Sequence, residues 1–162
     1  MSSFLQGLPN KKRILFLVLM SLLLISGALL FNRPEQTKEI HVSFPSGRVV
    51  RAEVADTPEK LLFGLAFRNQ IPDDGGMLFI FEESSLHQVW TKEFRVPVDI
   101  IWIDESKKIV YIVEEAPPCS GDPCTWYGPP PEHARYVLET NAGFVKEARV
   151  EQGMQLKFIL RM

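Results

Sequence analysis

The sequence has none of the short motifs that mark the common classes of enzyme. Its 162 residues contain no GxSxG, HExxH, Walker or GxGxxG pattern, which argues against nucleophile-elbow hydrolases, zinc peptidases, P-loop enzymes and dinucleotide-binding folds. Histidine is scarce, and His41, His87 and His133 lack the spacing of metal ligands. We therefore expect no metal and no cofactor, and these absences argue against an enzyme without deciding the question.

Acidic residues are absent from residues 1–33, which carry four basic residues. The rest of the chain holds 14 basic and 20 acidic residues, so the net charge of −2 conceals an acidic folded part. An acidic surface lacks the basic patch that displaces counterions from phosphates, and nucleic acid is not an expected partner. Apolar residues make up 46% of the chain and charged residues 23%, values typical of a globular protein with one domain.

The N-terminal region contains an uncharged run of 18 residues, 14–31, directly after the basic triplet Lys11-Lys12-Arg13. A helix of this length measures about 27 Å, close to the roughly 30 Å of a bilayer's hydrocarbon core. The run therefore predicts a transmembrane anchor with the basic triplet in the cytoplasm. Ser26-Gly27-Ala28 leaves a second reading open, in which the segment is a cleaved signal peptide and the protein is secreted. The predicted organisation is a cytoplasmic N-terminus (1–13), an anchor or signal segment (14–31), a linker (32–38) and a β-rich domain in the periplasm or at the cell surface (39–162).

Most of the sequence beyond the linker is strand-like. Asp56, Thr57 and Pro58 supply a helix start, and Gly64 predicts its end after about two turns. A short helical turn is expected at 142–147. Strands are predicted at 39–44, 48–54, 77–81, 87–91, 98–103, 108–114, 134–140 and 154–160. This spacing predicts a mainly β protein with one or two short helices (α+β), arranged as a small barrel-like or strongly curved antiparallel sheet.

The least ordinary segment is the 18-residue connection 116–133, which holds six of the 12 prolines. Its Cys119 and Cys124 are the only cysteines, and in an oxidising compartment a disulfide is the expected pairing. A metal site that uses His133, or two unpaired thiols, are the alternatives. A long ordered loop usually serves a purpose, so Trp126 and Tyr127 at its centre are candidate binding residues for a sugar, a peptide or another protein. In the competing interpretation, Trp126 is a buried plug over the end of the barrel.

A group of charged residues suggests a second candidate site. Lys92 and Glu93 precede the strand 98–103, and Asp99 lies at its start. Curvature of the sheet could bring these three side chains into one pocket, where a carboxylate beside a lysine could perform acid–base catalysis. More often such groups form a surface ion pair worth about 0–1 kcal/mol.

Several segments resemble the DUF192 family, also called UPF0127, over residues 48–160. The segments are RAEVADTPEKLLFGLAFR, GGMLFIF, VPVDIIWID, EAPPCSGDPCTWYGPP and ARYVLETNAGF. The resemblance implies a compact β-rich domain, often behind a signal peptide or a membrane anchor, with no assigned function. Where many relatives read Trp-Met-Lys-Asn-Thr, this chain has Trp90-Thr91-Lys92-Glu93-Phe94, so Glu93 replaces an asparagine.

These observations support two functions. The first is a membrane-tethered extracytoplasmic binding or scaffolding module, attached through residues 14–31, with an envelope protein or a carbohydrate as its ligand. Its candidate binding residues are Trp126, Tyr127, Trp90 and Arg68. The alternative is a small hydrolase-like or lyase-like enzyme that uses the predicted charged pocket.

Overall fold

The computed structural model describes residues 10–31 and 38–160. They belong to two separate compact units, which divide between residues 36 and 37. The first unit contains helix α1, Asn10–Phe31. The side chains of α1 are described for residues 11–26. Within the described part of the chain, no helix is long and apolar enough to cross a membrane. The anchor at 14–31 stays a prediction.

The second unit is built on a mixed six-stranded sheet that is curled but not closed, with strand order β1-β2-β3-β8-β5-β6. Strands β4 and β7 form a separate two-stranded sheet. The strands are β1 (Glu39–Ser43), β2 (Val49–Ala55), β3 (Gly75–Ser85), β4 (Val89–Trp90), β5 (Val98–Ile103), β6 (Ile109–Ala116), β7 (Trp126–Tyr127) and β8 (Ala134–Asn141). Two short helices accompany them, α2 (Pro58–Phe63) and α3 (Phe144–Ala148).

Local sequence signals explain the first elements of this unit. The alternating residues of β1 and β2 pair as an antiparallel hairpin, with Val42 opposite Val50. Helix α2 begins after Thr57, whose side chain accepts a hydrogen bond from the backbone N–H of Lys60, and it ends at Gly64. Strand β3 then pairs with β2 in parallel, because α2 carries the chain back across the sheet before β3 begins.

The predicted fold class, mainly β with short helices in an α+β arrangement, is confirmed. Two details of the prediction are wrong. The sheet is not purely antiparallel, because β2 and β3 are parallel. Residues 154–160 do not form a strand: they make single bridges from Lys157 to Ser43 of β1 and from Gln155 to Lys108 beside β6. Because this segment bonds to the two edges of the sheet in turn, it runs along neither of them.

Each face of the sheet carries its own apolar cluster. Leu78, Ile101 and Leu138 belong to one cluster, together with α3 and the C-terminal segment. Met77, Phe79 and the neighbouring strand residues of the other face form the second cluster, against which Leu61 of α2 and Tyr127 of β7 pack. The candidate site lies on this second face, between α2 and the pair β4–β7.

Candidate functional site

The cysteine–proline loop is fastened along its length to the segment around β4. Cys119 and Cys124 form the predicted disulfide, with an S–S distance of 2.12 Å. The backbone N–H of Cys119 donates to the carbonyl of Thr91 at 3.0 Å, and the Thr91 hydroxyl donates to the carbonyl of Pro117 at 2.7 Å. Strand β7, which the sequence did not predict, pairs with β4. The loop is therefore held in place by the fold.

Trp126 and Trp90 form a stacked aromatic pair at the end of this loop. They lie opposite each other in the β4–β7 ladder, and their ring centroids are 4.5 Å apart with 23° between the planes. The Trp90 indole N–H points at the carbonyl of Leu62 in α2, at 3.5 Å. Trp126 is 51% exposed, so it is not a buried plug. Tyr127 is the member of the loop that packs against the core.

A pocket of about 80 Å³ opens beside this pair, between α2 and the sheet. Six aromatic side chains are among its lining residues, and Gln88 and Glu139 are the lining residues with polar side chains. Three of the lining side chains, Leu62, Phe63 and Trp126, are about half exposed to solvent. The lining consists of Leu61, Leu62, Phe63, Gly64, Phe79, Phe81, Gln88, Val89, Trp90, Phe94, Trp126 and Glu139.

Glu139 is the group in this pocket with unusual chemistry. It lies in the middle of β8, between Met77 of β3 and Ile100 of β5. Its relative exposure is 1%, and its Oε2 atom is buried without a hydrogen-bond partner among the described residues. Burial raises the pKa of Glu139 from 4.5 to about 8, because the charged form is poorly solvated there. At neutral pH the carboxyl is therefore mostly protonated.

Two glycines let other chain segments approach Glu139 closely. A Cβ on Gly64 would lie 2.7 Å from the Phe79 ring and 3.5 Å from Glu139 Oε2, so Gly64 packs closely against the carboxyl where both line the pocket. A Cβ on Gly76 would clash with the Glu139 backbone carbonyl. The glycine at each position therefore allows the helix and β3 to pack against this part of β8.

The structure does not bring Lys92, Glu93 and Asp99 into one pocket. Asp99 is fully buried, and its two oxygens accept the backbone N–H groups of Glu115 and Val145, each at 2.8 Å. It therefore holds β6 and the start of α3. Lys92 and Glu93 line a different, exposed pocket beside the disulfide, where Lys92 Nζ lies 3.0 Å from Asp122. The predicted shared pocket is not formed, because both oxygens of Asp99 accept backbone N–H groups inside the fold while Lys92 and Glu93 lie at the surface pocket.

Of the four candidate binding residues, Trp90 and Trp126 line the aromatic pocket, and Tyr127 and Arg68 do not. Arg68 lines the pocket beside Pro72 and Gly75, and its guanidinium forms an ion pair with Glu53 at 2.7 Å. Within the described residues, no group of three or more His, Cys, Asp or Glu side chains could hold a metal ion.

Sequence reasoning missed Glu139, although its segment was among those that carried the family resemblance. The available signal was a carboxylate directly after the run Tyr136-Val137-Leu138 of a central strand. Such a residue is almost never buried unless it is paired. The pairing can be judged only after the partners of β8 and the position of α2 are known.

Comparisons with known proteins agree with this fold. The family model DUF192, described as "Uncharacterized ACR", matches residues 41–158. A protein of Sinorhizobium meliloti 1021, provisionally described as a transcription regulator, has a crystal structure with 31% identity and a TM-score of 0.67 that covers 78% of this chain and 98% of its own. A protein of unknown function from Novosphingobium aromaticivorans DSM 12444 shows 25% identity and a TM-score of 0.67, over 77% of this chain and 89% of its own. No curated protein matches the chain.

Proposed function

The chain belongs to the DUF192 family, and on that premise we propose that it is a membrane-tethered extracytoplasmic binding module. In this proposal, the pocket lined by Trp90, Trp126 and Glu139 receives the end of a side chain of an envelope protein. The unpartnered, buried carboxyl of Glu139 at this pocket is the observation that carries the proposal.

A purely structural role would leave the cost of burying Glu139 unexplained. A buried polar group without a hydrogen-bond partner costs about 1–3 kcal/mol. Asp99 shows how the same fold satisfies a structural carboxylate, since both of its oxygens accept backbone N–H groups. Glu139 Oε2 has no such partner, and a bound ligand with a polar end could supply one.

The size and chemistry of the pocket limit what can enter. A cavity of about 150 Å³ accommodates benzene. The aromatic pocket has a volume of about 80 Å³, so it accommodates the end of a longer group and not a whole sugar ring. Carbohydrates carry many hydroxyls, and this lining offers few polar partners for them. An apolar stem with one polar tip fits better, and the exposed Leu62, Phe63 and Trp126 around it provide contact area for the rest of the partner.

The location outside the cytoplasm is supported by two observations. The basic triplet before residues 14–31 favours export of the rest of the chain, and a disulfide persists best in an oxidising compartment. The acidic folded part argues against a nucleic-acid partner, so the description of the Sinorhizobium protein as a transcription regulator is not transferred to this chain.

Binding is tested by ¹⁵N-indole NMR on the full chain in lipid nanodiscs, with butan-1-ol, butyramide and n-butylammonium as probes. The three tryptophans provide an internal control, because Trp102 is fully buried and its indole N–H donates to the His87 carbonyl at 2.9 Å. We expect at least one probe to shift the Trp90 and Trp126 signals and to leave Trp102 unmoved. If none of the three probes does so at millimolar concentrations, the proposed binding site is wrong.

The tether is tested separately with a reporter enzyme, active only outside the cytoplasm, fused after Lys38. Activity of that fusion supports the proposed topology. The matched control is a second reporter, active only in the cytoplasm, fused at the same position. Activity of this second fusion, with none from the first, overturns the topology. N-terminal sequencing of the mature protein then distinguishes the anchor from the signal peptide, since a start at Leu29 rejects the anchor.

A further inference from the structure

We infer that the group which enters the aromatic pocket is a primary alkylammonium, as at the end of a lysine side chain, held between the Glu139 carboxylate and the surrounding aromatic rings. The inference rests on the proposed function, because it names the chemistry of the group that this same pocket receives.

The lining of the pocket is complementary to a cation. Six aromatic side chains are among the residues that line it: Phe63, Phe79, Phe81, Trp90, Phe94 and Trp126. Aromatic faces attract ammonium groups, most strongly where water is excluded. Among the described residues that line the pocket there is no lysine, arginine or histidine, so the Glu139 carboxyl has no positive partner of its own. An incoming ammonium would supply both the missing charge and the missing hydrogen-bond donor.

Trp90 already interacts with one ammonium group of the chain itself. Lys92 Nζ lies 5.7 Å from the centroid of the Trp90 ring. Its charge is paired with Asp122 at 3.0 Å, and Lys92 is not among the residues that line the aromatic pocket. This indole is therefore placed where a cation is stable, and the pocket beside it has room for a second one.

Binding of an ammonium requires that Glu139 lose a proton. Below its pKa of about 8 the free carboxyl is protonated, so the proton passes to the buffer as the ammonium enters, and the ammonium keeps its own protons. Affinity should therefore rise about tenfold for each pH unit up to about 8 and then level off, because an alkylamine stays charged to about pH 10.

The other charged groups near Glu139 do not explain such a dependence. Glu59 and Lys60 of α2, with Glu53 of β2 and Arg68, line the neighbouring pocket by Met77 and not the aromatic one. Asp99 on β5 is engaged with backbone N–H groups. His87 stacks on the lining ring of Phe81 at 3.7 Å but does not itself line the pocket. Burial is the cause of the raised Glu139 pKa, so the expected pH dependence belongs to this carboxyl, and its loss in Glu139→Gln separates it from His87.

The test compares n-butylammonium with butan-1-ol, two probes of the same length and heavy-atom count. Calorimetry and ¹⁵N-indole NMR on the full chain in nanodiscs give both affinities between pH 6 and 8.5. Calorimetry in two buffers of different ionisation enthalpy counts the protons released. The variants are Glu139→Gln, which keeps the shape and removes the charge, and Glu114→Gln, which changes an exposed glutamate of β6 as the matched control.

We expect n-butylammonium to bind about tenfold or more tightly than butan-1-ol at pH 8, and to release close to one proton at pH 6.5. Glu139→Gln should abolish this preference, and Glu114→Gln should retain it. Equal affinities for the two probes, or a preference that survives in Glu139→Gln, would overturn the inference while the binding site stands. If neither these two probes nor butyramide shifts the Trp90 and Trp126 signals, the inference and the proposed function both fail.

Discussion

Glu139→Gln is the substitution whose effect on the free energy of unfolding follows most directly from the structure. Glutamine has the shape of a protonated glutamate but cannot ionise. Glu139 is buried without a hydrogen-bond partner for Oε2, so the exchange removes a titration and leaves the packing of β8 unchanged. The variant should therefore fold, and its stability should lose one component of its pH dependence.

The magnitude follows from the two pKa values. The ordinary pKa of the carboxyl is 4.5, and in the folded protein it is about 8. Between these values the folded state keeps a proton that the unfolded state has lost, so stability falls as the pH rises, by about 1.4 kcal/mol per pH unit. This group alone should lower the stability of the wild type by about 3 kcal/mol between pH 4 and pH 7.

The assay is urea denaturation followed by tryptophan fluorescence, at several pH values from 4 to 8.5. Glu139→Gln should match the wild type near pH 4 and exceed its stability by about 3 kcal/mol at pH 7. Glu114→Gln, on an exposed part of β6, should follow the wild type throughout. If the curves of Glu139→Gln and the wild type stay parallel over this range, the carboxyl ionises normally and the reasoning about the pocket is wrong.

Three other substitutions and reduction of the disulfide should also change the stability of the domain by amounts that its contacts determine. Trp126→Ala should cost about 1 kcal/mol in chemical denaturation, the value of an aromatic pair, and not the roughly 3–5 kcal/mol of a buried tryptophan, because Trp126 is 51% exposed. Asp99→Ala should cost about 3 kcal/mol in the same assay, since it removes the acceptor of one buried and one partly buried backbone N–H group. Reduction of Cys119–Cys124 should lower the free energy of unfolding by about 2 kcal/mol or less, because the closed loop is short, and circular dichroism should show a folded domain. Glu93→Asn should raise the thermal midpoint through a gain of about 0.5–1 kcal/mol, because Glu93 has a φ of 60° and asparagine tolerates this conformation better.

The Glu93 position shows how a structure can change the meaning of a family difference. Glu93 lies where many relatives are expected to carry asparagine. The backbone at Glu93 is left-handed, and its carbonyl accepts the N–H of Phe67 at 2.8 Å. Asparagine is enriched in this conformation, so the family preference has a conformational explanation that the sequence alone did not reveal.

The parts of the fold that could be predicted are those with local signals. The β1–β2 hairpin, the capped start and glycine end of α2, and the apolar strands β3 and β5 each follow from patterns within a few residues. The disulfide followed from the number and spacing of cysteines, since Cys119 had one possible partner. For these elements, local preference and tertiary packing agree.

The parts that could not be predicted depend on partners distant in sequence. The parallel pairing of β2 with β3 depends on the path of α2 across the sheet. Strand β7 is defined by its pairing with β4, which lies 36 residues earlier in the chain, where Trp126 faces Trp90. Residues 154–160 have an apolar pattern, but they bond to two different sheet edges. The pocket at Glu139 combines α2, β4, β7 and β8, which no local pattern could bring together.

The protonation state of Glu139 tests the central claim most directly. Carboxyl ¹³C NMR of the full chain, labelled at glutamate and assigned by loss of one signal in Glu139→Gln, gives its pKa without the addition of a ligand. We expect a carboxyl that titrates near pH 8 and whose pKa falls when n-butylammonium is added. A Glu139 signal that titrates near its ordinary value of 4.5 would contradict it.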